Sequence, residues 1–393
     1  MGKKIAAFEA VAALVGTIIG AGVFTLPYIA NKSGLIPTTI WLFIVFFILL
    51  YLHLAFGEVV CRSGKNFRLP GYVGYYLGPA AKKFVLITTF LTFSFSLLIY
   101  LSLGTEFLKT ILVSFFPFIN WTSGIIFLGL WLFLNLPLLT KSEGTGKLNL
   151  VLSFGLLIVF FVIIAYALPH FKTANLNLFG FSGAFGWFIP YGVIFYALNG
   201  MVGVPEAINL LKARQVGLAG LKKIIIWGTL IPLICYFLFI FAVNGVSGAN
   251  TTLEAISGLK HILGPGIVII GSALGFLAVA TSYLIFAAYI KKSFLNDFNW
   301  SPFISYFLVI FGPLLLYLMN LANIEKLVSF MGGMLGGFEG VMLVLVLNKS
   351  KKENNQNNNT QSLPYSLPLN RFIFSFLIIA LVIGAICQTF LVY

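Results

Sequence analysis

Apolar runs of roughly 20 residues, each long enough as a helix to cross the hydrocarbon core of a bilayer, recur along the whole chain. In hydrocarbon every backbone N–H and C=O must find a partner inside the protein, which restricts repeated spans of this length to packed helices. Composition agrees. Of 393 residues 60% are hydrophobic and 9% charged, against about 25% charged in a soluble domain. Ten acidic and 24 basic residues cannot solvate a water-soluble protein of this size. The sequence therefore predicts an all-α polytopic membrane protein.

Eleven apolar segments are expected, at roughly 6–30, 36–60, 84–112, 122–140, 148–168, 185–211, 220–245, 264–290, 302–319, 324–347 and 371–392. The first begins after Met1-Gly2-Lys3-Lys4, is too long for a signal-peptide core and lacks a clear small-residue cleavage site, so it reads as a retained helix. After the tenth comes Lys349-Ser350-Lys351-Lys352-Glu353 and an Asn/Gln-rich run through Gln361, a composition that predicts a flexible linker. The net charge of +14 does not point to nucleic acid, because the basic residues are scattered between apolar runs. With the N-terminus inside and eleven spans, 19 of the 24 Lys and Arg fall on the cytoplasmic side and 5 (Lys32, Lys109, Lys172, Lys260 and Lys326) outside, as the positive-inside rule requires. The expected location is the cell membrane, with a cytoplasmic N-terminus and an extracytoplasmic C-terminus. Cys61, Cys235 and Cys387 form no CxxC pair and read as packing residues. His53, His170 and His261 lie too far apart in sequence for metal-ligand spacing, and no cofactor is expected.

Two segments carry a glycine-rich break with a proline about a turn later. The first reads Gly16-Thr17-Ile18-Ile19-Gly20-Ala21-Gly22-Val23-Phe24-Thr25-Leu26-Pro27, and the sixth Phe195-Tyr196-Ala197-Leu198-Asn199-Gly200-Met201-Val202-Gly203-Val204-Pro205-Glu206. Segments one and six correspond if two five-helix repeats exist, and an odd repeat in one chain must be inverted in the membrane. Paired interrupted segments of this kind mark a transporter binding site. The organisation expected is then 1–168 for the first repeat, 185–347 for the second, 348–370 for the cytoplasmic linker and 371–393 for an extra helix. A lone glycine cluster such as Gly332, Gly333, Gly336 and Gly337 reads instead as helix packing.

An unwound stretch inside the bilayer leaves backbone groups to be satisfied by ligand, ion or water. The half-helix starting after Gly22 offers free N–H groups and a positive dipole end, which suit a carboxylate. The half-helices ending near Gly16–Ile19 and Phe195–Leu198 offer carbonyls for an ammonium group or Na+. A carboxylate beside an ammonium is an α-amino acid. Thr17, Gly20, Ala21, Gly22 and Val23 on the first break, with Phe195, Tyr196, Ala197, Asn199 and Gly200 on the second, are the candidate binding residues.

The stretch Gly16–Tyr28, the pattern Phe195-x-Ala197-x-x-Gly200 with Pro205-Glu206, and the loop Pro70-Gly71-Tyr72 through Leu77-Gly78 resemble the amino acid–polyamine–organocation superfamily. Within it they are most similar to the aromatic amino-acid permeases and the amino-acid/auxin permeases. The resemblance implies the leucine-transporter fold, with eleven helices as a 5+5 inverted repeat plus one. It also implies that helix three lines the site, which adds Ser96 and Tyr100, and that a Na+ ion could sit between Gly16 and Ile19 on helix one and Ala278, Thr281 and Ser282 on helix eight. The alternative for Thr281 and Ser282 is bonding back to their own helix. The lysine that proton-coupled relatives carry in the middle of helix five is absent, Lys147 lying at that helix's start.

Acids within apolar runs default to functional candidates. Glu58 is expected to pair with Arg62 and Glu106 with Lys109, whereas Glu206 and Glu339 remain for coupling or gating. The function expected is secondary active transport, by alternating access, of a neutral, hydrophobic or aromatic L-amino acid coupled to Na+ or H+. Its partners are the amino acid and the lipid bilayer, with no nucleic acid, and nothing in the sequence sets an oligomeric state. A non-transporting amino-acid sensor on the same fold is the alternative. A channel fits mid-depth breaks less well, and an enzyme lacks a catalytic constellation in the short loops.

Overall fold

A computed structural model of the protein describes residues 2–139, 158, 160–180, 186–297, 300–321, 323–356 and 363–392. Lys141, Lys147, the start of the fifth apolar segment and the Asn-rich run at 357–362 lie outside the described residues. Helices α1 (Gly2–Ile18) and α2 (Gly22–Ser33) form one apolar segment bent by 52° at Ile19–Ala21. They are followed by α3 (Leu35–Ser63), the short α4 (Leu69–Leu77), the long α5 (Pro79–Phe115) and α6 (Ser123–Leu139). After α7 (Phe160–His170) come α8 (Ile189–Leu198) and α9 (Gly203–Ala213), which share one apolar stretch interrupted at 199–202. Helix α10 (Leu221–Ser247), the four-residue α11 (Lys260–Leu263), α12 (Pro265–Lys292) and α13 (Pro302–Leu318) continue the bundle. The last span before the C-terminal helix is α14 (Ile324–Phe330), a π-helical stretch Met331–Gly336 and α15 (Gly337–Gln356), and α16 (Arg371–Val392) closes the chain.

Among the described residues seven helices are long and apolar enough to cross a membrane, or eight with the bent pair as one span. The two halves use the same punctuation. Gly78 and Gly264, at φ +94° and +80°, each precede a proline that opens a long helix, α5 and α12. Proline suits a helix's first turn because that turn's N–H has no intrahelical partner. These two helices then pack closely at Gly104 and Gly275, where an added Cβ would stand 3.3 Å from Val279 and 2.6 Å from the Phe107 ring. Small residues admit such approach where lipid tails provide no hydrophobic drive for association.

Large side chains on the outer faces are exposed: Phe47, Phe133, Leu136, Phe303 and Phe372 are each at least 60% open. In water such a belt would be an aggregation surface, and in lipid it is a solvated one. Polar ties between helices include some inside the bundle. Tyr283 on α12 donates to Asn135 Oδ1 on α6 at 3.0 Å, and Trp131 Nε1 donates to the Ile310 carbonyl of α13 at 2.8 Å.

The linker expected to be flexible is described only in part, its Asn-rich run lying outside the described residues. Lys349–Gln356 continues α15 as helix, and 363–370 is seated against α3. Glu58, fully buried, holds it there. Its carboxylate accepts from Arg62 at 2.7 Å, as expected, and also from Lys351 Nζ at 2.6 Å and the Leu367 N–H at 2.7 Å. The Tyr365 hydroxyl donates to the Leu54 carbonyl, and the Tyr51 hydroxyl to that of Pro368. The expected pairing of Glu106 with Lys109 does not form. Lys109 donates instead to Ser123 at 3.1 Å, across to the start of α6.

Candidate functional site

Both interrupted helices unwind where the sequence places glycine, and the two breaks touch. Gly22, the first residue of α2, lies so near Ala197 that an added Cβ would be 2.6 Å from the Ala197 Cα. Gly200 packs on Ile18, and Gly203 on Leu14 and Thr17. Gly22 and Gly200 are thus needed for contact between the breaks rather than for positive φ. Across the second break the Asn199 side chain accepts from the Met201 N–H at 3.2 Å, a local cap of the kind asparagine supplies in turns.

A small cavity lies at this junction. It is lined by Thr17, Gly20, Ala21 and Gly22 of the first break, Tyr196, Ala197 and Asn199 of the second, and Ser96 and Tyr100 of α5, all sequence candidates. Ile18, Thr92, Phe286, Met331, Gly332 and Gly336 complete it. Val23, Phe195 and Gly200 do not line it. Val23 is buried, the Phe195 ring packs behind the wall against Gly336, and Gly200 faces Ile18. The glycine cluster at 332–337 packs as expected, Gly332 against the backbone of Gly192 and Tyr196, but its π-helical turn also forms a cavity wall. No lining side chain is ionised. The cavity measures about 40 Å³, on a scale where one water needs about 10–15 Å³, so seating an amino acid requires the walls to part.

The hydroxyls of Ser96, Tyr100 and Tyr196 face one another, yet those of Ser96 and Tyr196 complete no well-formed hydrogen bond and retain capacity for a ligand. The opposite character comes from Phe286, packed edge-on to Tyr100 at 5.4 Å, and Met331.

The carbonyls at the half-helix ends differ from the free acceptors expected. The Tyr236 hydroxyl of α10 lies 2.8 Å from the Ile18 carbonyl and 3.0 Å from that of Ala197, sharing one proton between the two breaks. Sequence reasoning missed this residue, which is one aromatic among many in an apolar helix. Tyr236→Phe leaves both buried acceptors without that donor, a loss of roughly 1–3 kcal/mol. A lowered melting temperature and slowed uptake are expected in the purified variant, and an unchanged value of both would show the bridge to be idle.

Of the helix-eight candidates, Ser282 approaches the break, standing 3.1 Å from a Cβ placed on Gly20. Thr281 instead bonds back to the Leu277 and Ala278 carbonyls, both at 2.9 Å. Ala278 and Ile19 are buried, and Gly16 lies within α1 two residues before its end. Glu206 is turned away from the cavity and pairs with Arg68 at 3.3 Å. Glu339 is buried, faces the cavity-lining Thr92, and has no ion-pair partner among the described residues. Two exposed ion pairs lie away from the cavity: Lys32–Glu325 at 2.5 Å links α2 to α14, and Arg214–Glu9 at 2.8 Å links α9 to α1.

Apolar spans around two touching helix breaks and a small uncharged cavity with hydroxyls in its wall define a multi-pass membrane protein of the transporter class. Residues 3–388 match the tryptophan/tyrosine permease family, and the chain belongs to that family. It is an amino-acid transporter and not an enzyme. It is also similar to glutamine transporter 2 of Aliivibrio fischeri, at 25% identity over 280 residues covering 69% of this chain and 70% of that protein.

Proposed function

We propose that this permease is a secondary active transporter that moves a neutral, hydrophobic or aromatic L-amino acid across the cell membrane by alternating access. The observation that carries the reading is the uncharged cavity shared by both helix breaks, with the hydroxyls of Ser96, Tyr100 and Tyr196 on one side and Phe286 and Met331 also lining it. A zwitterion's carboxylate suits the N-terminus of α2, and a neutral side chain suits a lining without ionised groups. A charged substrate side chain would meet no counter-ion there.

The fold we assign is that of the leucine transporter and the wider amino acid–polyamine–organocation superfamily. The order of broken span, long helix, short helix and Gly-Pro-initiated long helix occurs twice, in α1–α5 and in α8–α12, which supports an inverted repeat. Eleven spans result if the shorter apolar helices Ser123–Leu138, Phe160–His170 and Pro302–Leu318 also cross. The charge asymmetry then puts the N-terminus inside and the C-terminus outside. In this arrangement Lys32–Glu325 gates the outer path and Arg214–Glu9 the inner one, each opening in turn.

For coupling, the buried Glu339 beside Thr92, with no ion-pair partner among the described residues, favours H+ over Na+. Uptake of labelled tryptophan, tyrosine, leucine, glutamine and serine into proteoliposomes under an inward H+ or Na+ gradient tests both parts. H+-driven accumulation is expected, with Glu339→Gln losing accumulation but retaining exchange of labelled for unlabelled substrate. Accumulation driven by Na+ and abolished by Thr281→Ala with Ser282→Ala would transfer coupling to helix eight. Saturable binding without flux would make the chain a sensor.

A further inference from the structure

His53 lies in the middle of α3, fully buried and outside the substrate cavity. The Gly200 N–H, inside the second break, donates to His53 Nε2 at 3.0 Å, and His53 Nδ1 stands 3.0 Å from Thr229 Oγ1 on α10. A ring nitrogen that accepts carries no proton, so the hydrogen bonds assign the neutral tautomer with its proton on Nδ1. That proton points to Thr229, whose own hydroxyl donates to the Ile225 carbonyl at 2.9 Å. The chain of donors runs one way, from the break through α3 into α10. Gly200 is also where the second break rests on Ile18 of the first.

The two tethers of this unwound strand differ. Asn199 caps Met201 within the strand itself and travels with it. His53 ties the strand to a separate helix. An unwound amide at membrane depth requires a partner, and in this site the partner is an imidazole held in one orientation by Thr229.

We propose that His53 is a positioning residue for transport. It holds the unwound strand of the second break in the conformation that shapes the cavity, acting through the Gly200 amide without touching substrate. Its consequence for flux rests on the transport reading above, whereas the hydrogen bond itself can be read without flux.

The test compares His53→Gln, whose side-chain oxygen can reach the Nε2 position and accept from Gly200, with His53→Asn, which can meet Thr229 but is too short to reach the break. Amide hydrogen exchange is followed in peptides covering residues 196–204, and KM and Vmax are measured in proteoliposomes. For His53→Asn we expect exchange in that segment to rise roughly tenfold or more while peptides from α5 and α12 keep wild-type protection. Its Vmax per folded protein should fall by roughly tenfold, with His53→Gln staying within about threefold of wild type. If His53→Asn does not fold, Thr229→Val serves instead, since it frees the ring to turn and should deprotect the same segment. Wild-type exchange and kinetics in His53→Asn would overturn the proposal, as would a Gln variant as impaired as the Asn variant. Should the wild-type protein move no amino acid, the transport reading fails and the exchange data still decide the role of His53.

Discussion

Gly22→Ala is expected to abolish transport, whereas Gly20→Ala leaves most of it. At Gly22 the new methyl would lie 2.6 Å from the Ala197 Cα and 2.7 Å from its Cβ, so the two broken helices must move apart. Neither contact can be relieved by rotating a side chain. At Gly20 the methyl meets the Ser282 hydroxyl at 3.1 Å and the Tyr100 hydroxyl at 3.7 Å, both on side chains that can adjust slightly. A displacement of about 1 Å at a reacting or binding centre can cost roughly a hundredfold in rate. That is the loss expected for Gly22→Ala in initial uptake per folded protein. A leucine at either position should abolish transport, since at Gly20 its branched side chain would enter the cavity. Equal, mild effects of the two alanine substitutions would show that the breaks are not in contact during transport.

The second large effect is on stability, at Glu58. Its carboxylate accepts from Arg62, Lys351 and the Leu367 N–H while fully buried, and Arg62 and Lys351 are themselves largely covered. Glu58→Ala leaves two cations without their carboxylate and the Leu367 N–H without its acceptor, although Ser366 and the Leu367 carbonyl still accept from the cations. Removing one partner of a buried ion pair costs roughly 3–5 kcal/mol. A lower melting temperature in detergent is expected, together with protease cleavage in 363–370 that the wild-type protein resists. Lys351→Met, which removes one cation and leaves Arg62 paired, should cost less. If Glu58→Ala melts like wild type with 363–370 still protected, the carboxylate does not hold the segment.

The helix breaks were legible in the sequence because glycine and proline are local signals: both interruptions fall within a residue or two of where Gly20, Gly22, Gly200 and Gly203 place them. The other walls were not. Thr92, Phe286 and Met331 are ordinary residues of apolar helices, and the crossing of α5, α12 and the π-helical turn brings them to the breaks. Tyr236 and His53 were hidden for the same reason: each acts through a backbone group far away in sequence. Glu58 was half legible, since Arg62 lies one turn on, whereas Leu367 is 309 residues away. Composition was a partial guide at the C-terminal segment, whose Asn-rich run at 357–362 lies outside the described residues. Asn, Gln and Lys predict flexibility, yet Lys351 and Tyr365 find buried partners on α3 and fasten the described part of it.

The central claim is that the cavity between the two breaks holds the substrate. It is tested most directly by substrate protection of a cysteine placed there. Ser96→Cys, in a protein with Cys61, Cys235 and Cys387 replaced by serine, would be labelled with a small methanethiosulfonate reagent in the presence and absence of an amino acid the protein transports. A cysteine introduced at exposed Phe118 serves as the control. Labelling at Ser96→Cys should slow in step with occupancy by the transported amino acid while the control is unaffected. Equal labelling rates at saturating substrate would place the binding site elsewhere.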